Sequence, residues 1–333
     1  MTTQVIRSQL TMNPDPTSTT FRVPLFPDLR KQPYTYGATC YYKGKIYFVG
    51  GFSTIVFSYF YSLDVNTNKL EDLGSIPNAC SFNKVIPYNN KLYVLGGYPS
   101  TFGTKVSIFD LNTRVWTSGA DMLTSLCCFG AVLVGSRIYQ VGGRLSSGSA
   151  TQNVCSYYDI KANTWTAIAN LPAAVMRPEL VYHDNKIYAI GGSTAGFSGV
   201  PVHNAVDYSS AISSTYIYNI ATNGWASQID HQKLIYGNPI IKDDRLYCIG
   251  CSIGSPPTIS SSGSTWVFNM STGAGNIISP SENAITNVTN TTMCVDRDHN
   301  IAYLISGYEV RTIDLNKLTP GLVPYNKFFG GKI

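Results

Sequence analysis

The stretch KIYFVGG, residues 45–51, decides the fold, because it returns as KLYVLGG (91–97), RIYQVGG (137–143) and KIYAIGG (186–192). Weaker copies follow as LYCIGC (246–251) and AYLISG (302–307). The tyrosines of these copies are Tyr47, Tyr93, Tyr139, Tyr188, Tyr247 and Tyr303, at intervals of 46, 46, 49, 59 and 56 residues. Self-similarity at such a period means one supersecondary unit stacked repeatedly. What varies between copies then carries the function.

A second landmark lies in each unit, an Asp or Asn between apolar residues: Asp64, Asp110, Asp159, Asn219, Asn269 and Asp314. Six residues after it stands Trp116, Trp165 or Trp225 in three units, and Leu70, Gly275 or Pro320 in the others. Runs such as GATCYY, VSIFDL and SYYDI have the length and composition of strands. Between the first two strands of successive units lie Lys43-Gly44, Asn89-Asn90, Gly135-Ser136, Asp184-Asn185 and Asp243-Asp244. These dipeptides tolerate the positive φ of tight hairpin turns.

This order of diglycine, Tyr and Trp resembles the kelch repeat, over nearly the whole chain from about Ser18 to Leu318. The expected fold is all-β: a six-bladed β-propeller of four-stranded antiparallel blades, closed by an N-terminal outer strand. Radial sheets leave only short edges. The closing strand is TTFRVPLFPDL (19–29), because the segment after Asp314 contains Pro320 and Pro324, poor residues for a fourth strand. Residues 1–16 are expected to form a mobile arm, 17–320 the propeller and 321–333 a C-terminal tail.

Composition narrows the function. Charged residues make up 13% of the 333 and the net charge is +5, too small and too scattered to indicate nucleic acid. No apolar run approaches the roughly 20 residues of a membrane span, and MTTQVIRSQL lacks the apolar core of a signal peptide. A cytoplasmic location is therefore expected, with the eight cysteines as small buried thiols. Sequons begin at Asn269, Asn287 and Asn290 and matter only for an exported protein. No metal set or phosphate-cradling loop is recognisable, and no cofactor is expected.

Length variation points to the functional face. From each Asp/Asn landmark to the next tyrosine the first four distances are 29, 29, 29 and 28, whereas from tyrosine to its own landmark they run from 11 to 31. The variation sits after the diglycine, in the loop joining second and third strands, on the face that also carries the connections between blades. Variable loops over a rigid scaffold are where binding sites are built. The longest loop, roughly 193–214, contains Phe197, His203 and Tyr208.

On that face the innermost strands begin. Eleven residues before the first five repeat tyrosines stand Tyr36, Phe82, Cys128, Arg177 and Tyr236; two residues further on are Ala38, Lys84, Gly130, Glu179 and Asn238. Either these side chains form an apolar pocket with a few convergent polar groups, or they pack between blades.

The resemblance implies a binding module that recognises a protein or peptide partner through the variable loop face. Kelch domains that bind acidic peptides carry several arginines there; only Arg144 and Arg177 answer to that here, so an acidic peptide is not the expected ligand. The alternative is a small-molecule enzyme or ligand-binding protein with metal-independent isomerase, cyclase or lyase chemistry in the axial pocket. In that reading Glu179 or Lys84 is the acid or base, and Tyr36, Tyr236 and Arg177 position the substrate.

Overall fold

The computed structural model describes residues 36–52, 55–147, 150–195, 210–229, 234–235, 238–253, 260–269, 275–278, 291–306 and 309–317. Every regular element among them is a strand or a single 3₁₀ turn, and the strands form antiparallel sheets set around a channel. Blade 1 comprises Ala38–Tyr42, Lys45–Val49, Tyr59–Asp64 and Lys69–Ser75, paired in chain order from the channel outwards. Blades 2, 3 and 4 repeat this meander with inner strands Lys84–Tyr88, Gly130–Val134 and Glu179–His183. Blade 5 runs from Asn238–Lys242 to Gly275–Ile278, with Leu234–Ile235 added beside its second strand.

The sixth unit has three strands among the described residues, Thr291–Asp296, Ile301–Ser306 and Glu309–Asp314. The expectation of six four-stranded blades is thus corrected to five blades and a three-stranded sheet. After Asp314 the chain enters a 3₁₀ turn, Leu315–Lys317, where the other blades begin the return to their outer strand. The proposed closing segment 19–29 lies outside the described residues, as do the arm and the tail.

The hairpin dipeptides behave as their composition predicts. Lys43, Asn89, Asn90, Asp184, Asn185, Asp243 and Asp244 all have φ between 46° and 59°, and Gly44 and Gly135 are also positive. The Asp/Asn landmark proves to be the nucleus of the outer hairpin. Asp64 Oδ1 accepts hydrogen bonds from the N–H groups of Asn66 and Thr67, and Asp110, Asp159 and Asn219 repeat the arrangement. These backbone donors hold the carboxyl groups of Asp64, Asp110 and Asp159 below the usual range. Asn219 shows that the turn needs the acceptor oxygen rather than the charge.

Among the described residues the apolar core is divided into several clusters. Apolar side chains fill the seams between neighbouring sheets, and each repeat tyrosine is buried in one of them. Tyr47 packs with Val85 and Leu92 of blade 2, Tyr93 with Ile138 and Tyr158 of blade 3, and Tyr139 with Ile187 and Tyr218 of blade 4. Tyr188 and Tyr247 do the same one seam further on, and Tyr303 packs with Ile46 and Phe48 of blade 1, closing the ring. A hydrogen bond of 2.9 Å between the hydroxyls of Thr39 and Thr292 crosses that last seam.

The diglycines let backbones touch across the seams. A Cβ on Gly50 would lie 2.1 Å from the carbonyl oxygen of Cys80, in the linker to the next blade, and one on Gly142 would lie 2.4 Å from that of Val175. Both glycines have positive φ, 70° and 60°. The second glycine of each pair donates its N–H to the same linkers, Gly51 to Cys80 at 3.0 Å and Gly143 to Val175 at 2.8 Å.

The tryptophan landmark is a clamp on the outer rim. Trp165 Nε1–H donates to the carbonyl of Ala120 at 2.9 Å, and Asn163 Oδ1 accepts from the N–H of Ala120 and the hydroxyl of Tyr158. Trp225, Asn223, Ala169 and Tyr218 repeat this clamp one blade later. Asn163 also occupies the left-handed region, at φ 54°. Asn163→Ala should therefore lower stability by about 1–2 kcal/mol through lost hydrogen bonds and backbone strain. Asn163→Gly, which tolerates the φ, should cost less; urea unfolding midpoints of the two variants check this order, and equal midpoints would refute the strain contribution.

Candidate functional site at the channel mouth

The site grows out of the way each inner strand is entered. Tyr36, Phe82, Cys128 and Arg177 have φ of 58°, 54°, 56° and 55°, the left-handed conformation that costs a non-glycine residue about 1–2 kcal/mol. Their backbones are chained to one another around the channel. Phe82 N–H donates to the Tyr36 carbonyl at 2.7 Å, Cys128 N–H to that of Phe82 at 3.0 Å, and Arg177 N–H to that of Cys128 at 2.6 Å. Four residues spaced across four blades thus form one hydrogen-bonded arc.

The arc gathers their side chains. The rings of Tyr36 and Phe82 lie 4.8 Å apart, and the Arg177 guanidinium sits 5.4 Å from the centre of the Phe82 ring. Phe82, Cys127, Cys128 and Met176 form a buried cluster against which Tyr36 and Tyr98 pack. Tyr36 and Arg177 keep part of their surface exposed, while Phe82 is 9% and Cys128 5% exposed. The mouth therefore carries a filled aromatic and sulfur layer with a cationic edge.

Immediately below, Lys84 and Glu179 open the inner strands of blades 2 and 4 and meet across the channel. Lys84 Nζ lies 3.4 Å from Glu179 Oε2, each side chain being 30% exposed. The two candidates for acid and base are thus each other's partners. A cavity of about 380 Å³ continues down the channel, lined among others by Lys84, Cys128, Glu179, Met293 and Arg297. Among the described residues no group of three or more His, Cys, Asp or Glu is placed to hold a metal ion. No helix among them is long and apolar enough to cross a membrane.

Arg144 is placed differently from the other candidates. It follows the diglycine of blade 3 and pairs with Cys127 in a short ladder, Leu126–Cys127 against Arg144–Leu145. Its side chain is 1% exposed, and its Nε and Nη1 have no hydrogen-bond partner. It acts on the neighbouring thiols. The neighbouring Cys127 thiol, and then the charges of Arg177 and Arg144, hold the Cys128 thiol below the usual range against the opposing effect of burial. The Cys127 thiol is driven up by the same neighbour and by burial.

Asn238 opens the inner strand of blade 5, paired with Ile249. Tyr236, Phe197, His203 and Tyr208 lie outside the described residues. At the base of the 193–214 loop, Ser193 and Ser210 share a hydroxyl–hydroxyl contact of 2.6 Å. Sequence reasoning took the cysteines as buried packing groups and placed Cys128 at the same repeat position as Tyr36, Phe82 and Arg177; it gave the adjacent Cys127 no place in that set.

With this geometry in view, residues 37–239 match the family model described as the KLHDC2/KLHL20/DRC7 Kelch-repeats domain. The chain belongs to the kelch-repeat family. Relatives within it include human Kelch-like protein 38, 23% identical over 55% of this chain and 30% of its own length. The Kelch repeat-containing protein kel-10 of Caenorhabditis elegans is 32% identical over 38% of this chain and 24% of its own length. Alpha-scruin of Limulus polyphemus is 26% identical over 38% of this chain and 15% of its own length. The matched part of the kelch chain thus spans less than a third of each of these relatives. Among solved structures, one titled "Structure of YjhT" superposes with a TM-score of 0.63 over 88% of this chain and 96% of that one at 12% identity, a likeness of fold.

The pairing of Lys84 with Glu179 has a measurable consequence. A part-exposed ion pair contributes little, so a double-mutant cycle on Lys84→Met and Glu179→Gln should give a coupling below about 1 kcal/mol. A coupling of several kcal/mol in urea unfolding would mean that the pair is shut away from solvent.

Proposed function

We propose that this kelch propeller is a binding module that engages a protein or peptide partner through the channel mouth on the diglycine face. The observation that carries the reading is the backbone arc from Tyr36 to Arg177. It brings two aromatic rings and a guanidinium together at the mouth, on the face where loop length varies most. Rigid aromatic and arginine anchors set in a preformed surface are the usual energetic centre of a protein interface. Arg177 supplies the accessible charge, and a backbone carbonyl or carboxylate of a partner is its natural complement.

A small-ligand reading has one observation behind it, the cavity of about 380 Å³ below the mouth, within the size range of ligand pockets. Against an acid–base enzyme stands the mutual neutralisation of Lys84 and Glu179 at 3.4 Å. Tyr36, Phe82 and Arg177 are themselves part of the lining of this cavity.

The test is a set of parallel pull-downs from native extract, read by quantitative mass spectrometry, with folding of each variant checked by circular dichroism. Tyr36→Ala and Arg177→Ala should reduce recovery of the same specific proteins by about tenfold, a loss near 1.4 kcal/mol. Substitutions of Asn89 and Asn90, in a hairpin turn on the opposite face, should leave recovery unchanged in the folded fraction. If only the turn variants lose partners, the binding face is the other one.

A further inference from the structure

We propose that the channel cavity is a binding site for a small organic anion with an apolar body, of the medium-chain carboxylate class. Four formally charged side chains line the cavity, Lys84, Arg177, Glu179 and Arg297, three cations against one carboxylate. The carboxylate is already engaged, with Glu179 Oε2 3.4 Å from Lys84 Nζ. The cations are spread along the channel. Arg177 and Lys84 stand where inner strands begin, whereas Arg297 follows the last residue of the inner strand Thr291–Asp296 and so lies toward the other end. A cleft with one sign of charge in excess and low-dielectric walls concentrates ions of the opposite sign.

The walls between these charges decide what kind of anion fits. Ile86, Ala131, Leu180, Met293 and Val295 line the same cavity, and all of them are only partly buried. An inorganic anion would leave them against water. The alkyl chain of an amphipathic anion covers them, with a gain of up to about fourfold in affinity per methylene buried. Thr39 and Thr292 add a polar contact within the lining. Their hydroxyls meet at 2.9 Å, and because one donates to the other, one proton of the pair is left for an oxygen acceptor. The volume of about 380 Å³ is at the lower end of the range for ligand pockets, which favours a compact ligand.

Occupancy of the channel by a small molecule does not depend on a partner at the mouth. Titration with small molecules can fail while the pull-downs succeed, and the reverse.

Isothermal titration calorimetry of the full chain with octanoate, octyltrimethylammonium and 1-octanol, each below the concentration at which it aggregates, compares three head groups on one apolar body. Octanoate should bind at least about tenfold more tightly than the other two. Hexanoate should bind more weakly than octanoate, by up to about fourfold per methylene removed, and acetate weakest of all. Arg297→Met, at an exposed position, should narrow the preference for octanoate several-fold where circular dichroism shows the variant folded. A diazirine-bearing octanoate, photolysed in place and mapped by peptide mass spectrometry, should label peptides that contain Ile86, Ala131 or Met293. Equal affinity for the three heads, tighter binding of the ammonium, acetate as tight as octanoate, no binding of octanoate, or labelling confined to other peptides would each overturn the proposal. The head-group series and the labelling use the unmodified sequence, so they decide the matter even if Arg297→Met fails to fold.

Discussion

The rest of the molecule depends on backbone meeting backbone at the exit of each second strand. Gly50 and Gly142 bring their chains so close to the next linker that a single Cβ would collide with a carbonyl oxygen at 2.1 and 2.4 Å. That approach fixes where the linker runs, and the linker fixes where the next inner strand begins. The left-handed residues at the mouth stand at that beginning. Their strained φ values are offset by hydrogen bonds from one blade to the next, and their side chains converge as a result. Scaffold and site therefore share one geometric cause.

Stability in such a ring is distributed. Each seam has its own apolar filling around a repeat tyrosine, and the rim adds clamps of Trp and Asn where those residues are present. This resembles the nearest-neighbour energetics of repeat proteins, with the difference that the contacts between the three-stranded sheet and blade 1 join first and last units. The clamp is confirmed for Trp165 and Trp225, in the part of the chain that matches the family model. The later units, whose diglycines read Gly250-Cys251 and Ser306-Gly307, have apolar seams of the same kind among the described residues.

Much of this was legible in the sequence because backbone requirements leave local marks. Positive-φ hairpins drew Gly, Asn or Asp at most of their positions, Lys43 being an exception, and the spacing of Asp and Tyr marked the outer turn and the seam. Spacing also singled out Tyr36, Phe82, Cys128 and Arg177 as equivalent. Their chaining was not legible, because a hydrogen bond between residues some 46 apart leaves no local pattern. Arg144 illustrates the limit from another side. An arginine after a diglycine looks like a surface charge, and only the folded chain, in which it is 1% exposed, shows that it is buried. Likewise Lys84 and Glu179 were visible as a base and an acid, but their partnership depends on two nonadjacent blades facing each other across the channel. The blade count of six was corrected because the sixth unit has three strands among the described residues, while its fourth was expected from residues 19–29, far away in sequence and outside them.

Amide hydrogen exchange at residue resolution tests the central claim, that the channel mouth is a preformed, backbone-linked surface. The N–H groups of Phe82, Cys128 and Arg177 lie next to loops and would exchange quickly if the mouth were merely a cluster of loop residues. Locked in the arc, they should be protected to the same order as strand amides such as those of Tyr93 and Tyr139. Exchange of these three amides at the rate of unstructured loop would contradict the account.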